Sequence, residues 1–229
     1  MKIKNKSISF LLIPVLLITF VPAFAITASA ATDSENDERY NPIAHFTDVN
    51  PSDWFFEAVF FVWSNNFMQG TSGARFSPNA PLTRGMVVTV LYRTYSETES
   101  AVEAGNPFTD VRDGAWYADA VTWAYHNNIV TGITSSTFAP NANITREQLA
   151  TILHRYAVFS GIDVSIGEDT NILSYQDAFD ISEWAMAAMQ WAAGAGVITG
   201  RTADLLVPQG EATRAEFATV LFRLLDAAE

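Results

Sequence analysis

A motif that occurs three times in tandem constrains the fold of this chain more than any other feature. Each copy opens with an aromatic residue and an Asp two positions later, and it continues through a Trp, a Gly and a Pro to a Thr-Arg pair. Sixteen residues separate Trp from Gly in every copy, and five separate Pro from Thr. Insertions therefore fall between the copies, and such constant internal spacing predicts one folded unit used three times.

The three copies occupy residues 46–95, 108–158 and 175–226. Two polar segments, Tyr95 to Asn106 and Val158 to Ser174, are predicted to be connectors between them. The equivalent Asp, Trp, Gly and Arg positions are Asp48, Asp110 and Asp177, Trp54, Trp116 and Trp184, Gly70, Gly132 and Gly200, and Arg84, Arg146 and Arg214.

The residues before the first copy differ in character from the rest of the chain. Three lysines, an apolar run and the small residues Ala28-Ser29-Ala30 follow one another, which is typical of a secretory signal peptide over residues 1–30. A retained membrane anchor is the alternative, which Pro14 and Pro22 disfavour because they interrupt the apolar run. Residues 31–45 are predicted to be a flexible acidic leader, and no later apolar stretch is long enough to cross a bilayer.

Beyond the signal peptide the chain is strongly acidic. All three lysines lie within the signal peptide, so ten arginines against 25 carboxylates leave a net charge of about −15. Such a charge repels nucleic acid and anionic membrane, and neither is an expected partner. The chain has no Cys, so disulfides and thiolate chemistry are excluded and packing must stabilise the fold.

Within each copy the apolar pattern predicts a helix, a loop and a second helix. Apolar residues recur after the Trp with helical spacing, and the first helices are predicted to begin at that Trp. Thr is a good N-cap, and capping boxes are predicted for Thr145 with Gln148 and for Thr213 with Glu216. The predicted fold is therefore all-α, with three helix-loop-helix repeats. Three copies could form an open solenoid, but closure into a pseudo-threefold, trimer-like assembly covers every flank and is favoured.

The repeated Arg is the residue that helix stability explains least. It stands on the first turn of the second helix, where the helix dipole favours negative charge. Backbone amides and a guanidinium there can form an anion site, whereas the alternative is an Arg paired with an Asp of its own or a neighbouring copy, such as Arg84 with Asp48. Arg93, Arg155 and Arg223, at the end of the second helices, are interpreted as mainly structural.

The repeated Trp and Asp each allow two interpretations. The Trp can present an indole face to a sugar ring or can be buried in the core. The Asp can accept sugar hydroxyls or orient the groove Arg, or it can close an Asx-type turn.

The motif resembles the S-layer homology family, and the resemblance covers nearly all of the chain after the signal peptide. It rests on Phe46-Thr47-Asp48-Val49 with Trp54-Phe55, on Phe108-Thr109-Asp110-Val111 with Trp116-Tyr117, and on Thr213-Arg214-Ala215-Glu216-Phe217. The resemblance implies a three-pronged assembly around a central helical bundle that anchors secreted proteins to bacterial cell-wall polysaccharide. It implies a secondary polymer with a ketal-pyruvylated amino sugar, bound in grooves between adjacent repeats. The candidate ligand-binding residues are the repeated Asp, Trp, Gly and Arg named above, together with Glu216.

The copies depart from the family motif in different places. Copy one reads Gly85-Met86 after its Arg, copy two reads Glu147-Gln148, and copy three has Leu206 where the others have Phe ahead of the Pro. All three keep the Arg, so at least two functional grooves are expected.

Other functions find less support in the sequence. The three His residues lack ligand spacing and no nucleophile, His and acid set stands out, so neither catalysis nor a metal or cofactor is expected. The expected location is the cell wall or surface layer of a Gram-positive-type bacterium. The alternative function is a structural or protein-interaction role in a surface layer without direct glycan binding, with other surface proteins as partners.

Overall fold

The computed structural model describes residues 43–95 and 105–226, all within one compact unit, Tyr40–Glu229. The predicted signal peptide, almost all of the leader and most of the first connector lie outside these residues. The described residues form six α-helices and no sheet, with only isolated bridges between extended segments, which confirms the all-α prediction. The helices are α1 Phe56–Ser64, α2 Arg84–Tyr95, α3 Ala118–His126, α4 Arg146–Ser160, α5 Met186–Gly194 and α6 Arg214–Asp226. None of these helices is both long and apolar enough to cross a membrane.

The second helices begin directly after their capping Thr residues, whereas the first helices have no side-chain cap and begin later than predicted. α1 and α3 begin two residues after Trp54 and Trp116, and in copy three a short 3-10 helix, Glu183–Ala185, precedes α5. Among the described Thr residues that precede α2, α4 and α6, only Thr213 forms the complete capping box, since its amide donates to Glu216 Oε2 (2.8 Å) and its hydroxyl accepts from the Glu216 amide (3.2 Å). In copy two Gln148 supplies only its backbone amide to Thr145, so its side chain does not complete the predicted box.

The helices pair between repeats rather than within them. The extensive helix contacts join α1 to α6, α2 to α3 and α4 to α5, so the second helix of each repeat packs on the first helix of the next. The small residues in the middle of the first helices are buried at these contacts: Ala58, Ala120 and Ala188. A two-helix unit with one apolar face requires such a partner, and here the partner always comes from another copy.

Three short extended segments before α2, α4 and α6 connect the repeats in a cycle. The Leu82 amide donates to the Ala212 carbonyl, the Ala212 amide to the Ile144 carbonyl, and the Ile144 amide to the Leu82 carbonyl, each at 2.9 Å. All three side chains are fully buried. Each repeat is therefore hydrogen-bonded to both others. These segments contact one another, while the described helices pack in the three pairs above.

The second connector is less open than its polar sequence predicts. Residues Val158 to Ser160 extend α4, which ends at Gly161 in the left-handed conformation (φ 77°). Ile172 is buried, and Gly167 lies so close to the backbone of Trp191 that a Cβ there would approach it to 3.0 Å. This segment belongs to the core beneath α5.

Candidate functional site

The repeated Asp of each copy holds the loop that leads to the repeated Pro. Asp110 accepts hydrogen bonds from the amides of Phe138 (2.9 Å) and Ala139 (2.7 Å), and Ala139 has a left-handed backbone (φ 59°). The same arrangement occurs in the other copies: Asp48 with Phe76 and Ser77, and Asp177 with Leu206 and Val207. A non-glycine residue in this conformation is strained, and the two charge-assisted bonds offset that strain.

This arrangement changes the interpretation of the Asp residues. Both oxygens of each carboxylate are engaged by backbone amides 28 to 30 residues further along the chain. The Asx-type turn is therefore wrong, because such a turn bonds the backbone two residues on. A contribution of these Asp residues to ligand binding stays a prediction.

The repeated Arg reaches into the loop of the next copy. Arg84 Nε donates to the Phe138 carbonyl (2.8 Å), Arg146 Nε to the Leu206 carbonyl (2.8 Å), and Arg214 Nε to the Phe76 carbonyl (2.9 Å). All three residues are buried, with exposed fractions of 6%, 4% and 7%. Each Arg therefore joins two repeats. Pairing of Arg84 with Asp48 is wrong, because Arg84 contacts the loop held by Asp110.

Burial sets the electrostatics of these arginines. Desolvation lowers the pKa of Arg84, of Arg146 and of Arg214, and nearby carboxylates partly oppose the shift. For Arg84 the opposing charge is Asp110 of the neighbouring copy. Arg remains a cation in proteins, so each inter-repeat junction holds a buried positive charge.

The three arginines are stabilised in different ways. The guanidinium carbons of Arg84 and Arg214 lie 4.7 Å from the ring centres of Phe138 and Phe76, a cation–π geometry. Arg146 faces Leu206 and has no ring there. Its Nη1 instead donates to Glu216 Oε1 at 3.1 Å, and its Nη2 donates to the Thr199 carbonyl at 2.6 Å.

The repeated Trp residues are on the surface. Trp54 is 66% exposed, Trp116 60% and Trp184 57%. Core burial, the alternative interpretation, is therefore wrong for these three. Indole faces at these positions are available to a ligand, whereas the Trp residues in the middle of the first helices, Trp123 and Trp191, are buried.

Two grooves bring these residues together. The Arg84 groove has a volume of about 420 Å³, and the residues that matter here are Arg84, Gly132, Gln148, Thr151, Arg155 and Trp184. The Arg146 groove has a volume of about 360 Å³, and its equivalent residues are Arg146, Gly200, Glu216, Thr219, Arg223 and Trp54. Each groove thus takes its Arg from one repeat, its loop and helix from the next, and its Trp from the third.

Comparison with known proteins agrees with this threefold construction. Residues 45–85, 107–150 and 174–218 match the family model for the S-layer homology domain, together over more than half of the chain. The chain belongs to the S-layer homology family.

Curated relatives include enzymes and surface proteins. The chain is 34% identical to an Endoglucanase of Bacillus sp. (strain KSM-635), over 98% of this chain and 23% of that protein. It is 28% identical to the Surface-layer 125 kDa protein of Lysinibacillus sphaericus, over 89% of this chain and 17% of that protein. A Cellulosome-anchoring protein of Acetivibrio thermocellus is 26% identical over 70% of this chain and 35% of that protein. The chain spans less than a quarter of the length of the first two.

The glycine of each S-layer homology repeat is required by close packing. A Cβ on Gly132 would lie 2.6 Å from the ring of Phe108, and one on Gly70 would lie 2.6 Å from the ring of Phe46. Gly132 also has a φ of 80°. The aromatic residue that opens each motif therefore packs directly on the glycine that shapes the groove wall.

Some groove residues of the S-layer homology repeats are not predicted as ligand-binding residues by the sequence. Arg155 and Arg223 line the grooves, although their position predicted a structural role. Gln148, Thr151 and Arg155 have i, i+3 and i+7 spacing on α4, so they share a helix face, and this spacing was the available signal. Among the described residues no cluster of His, Asp and Glu could hold a metal ion.

Proposed function

We propose that this chain anchors noncovalently to the bacterial cell wall by binding a ketal-pyruvylated secondary polysaccharide in its inter-repeat grooves. Membership of the S-layer homology family supports the coarser part, attachment at the cell surface. The observation that carries the ligand class is the pairing of a buried Arg with an exposed Trp in one groove. A guanidinium suits a carboxylate, and an indole face suits a sugar ring.

The charge of the grooves supports an anionic ligand. The Arg84 groove is lined by Arg84 and Arg155 with no carboxylate, and the Arg146 groove by three arginines and Glu216. Both are therefore positive in a chain with a large negative charge. A polymer with repeated acidic sugars can engage more than one groove, and the second contact raises affinity by effective concentration.

The proposal assigns binding and no catalysis to this chain. The relatives that are named as enzymes support this assignment. This chain corresponds to only 23% of the length of the Endoglucanase and 16% of the length of an Exoglucanase XynX of Acetivibrio thermocellus.

Co-sedimentation with purified Gram-positive cell-wall sacculi tests the proposal. The arginines are unsuitable for substitution in this test, because each also joins two repeats and its loss would disturb the fold. The informative variant is the triple substitution Trp54→Ala, Trp116→Ala and Trp184→Ala, because these side chains are exposed and their loss leaves the core intact. Phe179→Ala is the matched control, since Phe179 is 86% exposed and lies outside both grooves.

We expect wild type and the Phe179 variant to sediment with the sacculi and the triple Trp variant to remain in solution. Sacculi stripped of their pyruvyl groups should retain none of the three proteins. Equal retention by stripped sacculi would contradict the pyruvylated ligand, and equal retention of the triple variant would contradict the grooves as the binding site.

A further inference from the structure

We infer that the two grooves are unequal: the Arg84 groove is the open site for a ligand carboxylate, and Glu216 occupies the corresponding place in the Arg146 groove. This inference rests on the proposed function, because it divides the proposed ligand between the two sites. The residue that determines which groove binds is then the one three positions after the repeated Thr. It is Gln148 in the Arg84 groove and Glu216 in the Arg146 groove.

In the Arg146 groove a carboxylate is already in place. Glu216 Oε1 accepts from Arg146 Nη1 (3.1 Å) and from Arg201 Nε (2.8 Å), and Oε2 accepts from Arg201 Nη2 (3.1 Å). The Glu216 side chain is 14% exposed. With Nε bound to Leu206 and Nη2 to Thr199, all three nitrogens of the Arg146 guanidinium are engaged. Three of its five N–H donors are thus used, and a ligand carboxylate has to compete with Glu216 for this Arg.

The Arg84 groove lacks this internal carboxylate. Gln148 stands at the position of Glu216, and Ile133 at the position of Arg201. Of the guanidinium nitrogens of Arg84, only Nε is hydrogen-bonded within the described residues, to the Phe138 carbonyl, which leaves both terminal nitrogens without a partner there. The two terminal nitrogens, with four N–H donors, are thus available for an incoming anion.

A second, independent observation points to a ligand in the Arg84 groove. Gln148 Oε1 is buried and has no hydrogen-bond partner in the described residues. A buried acceptor without a donor is unfavourable, and because Gln148 lines the groove, a rotation of its side chain lets a ligand hydroxyl or amide N–H satisfy it. The groove therefore fits a ligand that carries a carboxylate and a nearby hydroxyl or amide donor, which is the chemistry of an acidic, N-acylated sugar.

The exchange of Gln148 and Glu216 tests the inference without changing side-chain size. We would titrate wild type, Gln148→Glu and Glu216→Gln with a ketal-pyruvylated N-acetylhexosamine by calorimetry, using its methyl ester as the uncharged control. Gln148→Glu places a carboxylate beside Arg84 and should weaken binding by about tenfold or more. Glu216→Gln should create a second site of comparable affinity, because it frees Arg146. The amide oxygen that Glu216→Gln introduces can still accept from the Thr213 amide, which preserves the helix cap.

The site of each effect is identified with the exposed Trp residues. Trp184→Ala should weaken the wild-type site, and Trp54→Ala should weaken only the site created by Glu216→Gln. Unchanged affinity in Gln148→Glu would overturn the inference, as would a wild-type site that depends on Trp54 instead of Trp184. If Glu216→Gln does not fold, judged by circular dichroism, Gln148→Glu and the two Trp variants decide alone.

The outcome also separates the inference from the proposed function. Wild type that binds the pyruvylated sugar and its methyl ester equally contradicts the proposed ligand class, and the inference falls with it. Wild type that prefers the acid but is insensitive to Gln148→Glu contradicts the inference alone.

Discussion

The Arg84 and Arg146 grooves share one backbone frame and differ in how the buried guanidinium is satisfied. In the first, Arg84 lies over the Phe138 ring and its terminal nitrogens face a groove without acids. In the second, Leu206 replaces the ring, and Glu216 with Arg201 forms an ion-pair network around the Arg. Both sites keep the buried Arg that joins two repeats, and the residues around it decide whether its charge is paired within the protein or is available to a ligand.

The largest expected effect is at the glycine of the loop that forms a wall of the Arg84 groove. It tests whether this loop can accommodate a side chain. Gly132→Ala should cost about 4 kcal/mol of unfolding free energy, because its Cβ meets the Thr134 carbonyl oxygen and the Phe108 ring and the backbone is left-handed. Gly114→Ala is the matched control: its φ of 75° is similar, but nothing lies near its Cβ, so about 1 kcal/mol is expected. Urea denaturation measures both. Equal costs would show that the close contacts of the Gly132 Cβ are unimportant.

A smaller effect is expected at the Asp that holds the loop contacted by Arg84. Asp110→Ala removes two charge-assisted bonds to buried amides and should lower the unfolding free energy by about 3 kcal/mol. Asp177→Ala, at the loop that Arg146 contacts, should cost a similar amount, since its bonds are equivalent. Asp119→Ala, an exposed acid on α3, is the control and should change stability little. A large difference between Asp110 and Asp177 would mean that the two frames are not equivalent.

Substitution of the exposed Trp residues compares the two grooves by their contribution to binding, without a change in stability. Trp184→Ala should weaken binding to sacculi by about 1 kcal/mol, through loss of ring stacking, at unchanged thermal stability. Trp54→Ala should have a clearly smaller effect, because it serves the groove in which Glu216 competes. Sedimentation at graded sacculus concentrations gives both values, and a larger loss for Trp54 would reverse the ranking of the grooves.

The smallest expected effect is the pH dependence of stability that Glu216 contributes in the Arg146 groove. Burial opposes ionisation of Glu216, but hydrogen bonds from Arg201 and the Thr213 amide, with the charge of Arg146, outweigh it and lower the pKa of Glu216. The folded state therefore favours the ionised form. Its stabilisation is complete above the unfolded-state value of about 4.3 and is lost as pH falls through the lower folded-state pKa.

The Glu216→Gln variant reports this dependence directly. The difference in Tm between wild type and the variant should shrink when the pH is lowered from about 7 to about 3, as measured by thermal denaturation. Glu183→Gln, which changes an exposed acid, is the control and should follow wild type at every pH. A Tm difference that grows on acidification would contradict the ion-pair role of Glu216.

Much of the site could be named from the sequence, but the partners of its residues could not. The spacing of the repeats identified Arg84 and Trp184 as unusual, and both line the same groove although they come from different copies. Periodicity describes one helix at a time, so it could not show that Arg84 binds the loop of the second copy or that the Trp comes from the third. For the same reason the sequence did not predict that Arg155 lines the groove.

The sequence by itself determined the repeating unit, its helices and the residues that are unusual within it, because spacing, apolar periodicity and helix capping act over a few neighbouring residues. Only the tertiary structure decided that helices pair between repeats, that three backbone hydrogen bonds connect the copies in a cycle, and that Asp holds a loop while Arg contacts it from another copy. The hydrogen bonds of these Asp and Arg side chains to the loops join residues 28 to 138 positions apart. Their energies depend on which surfaces meet, and local sequence carries no record of that.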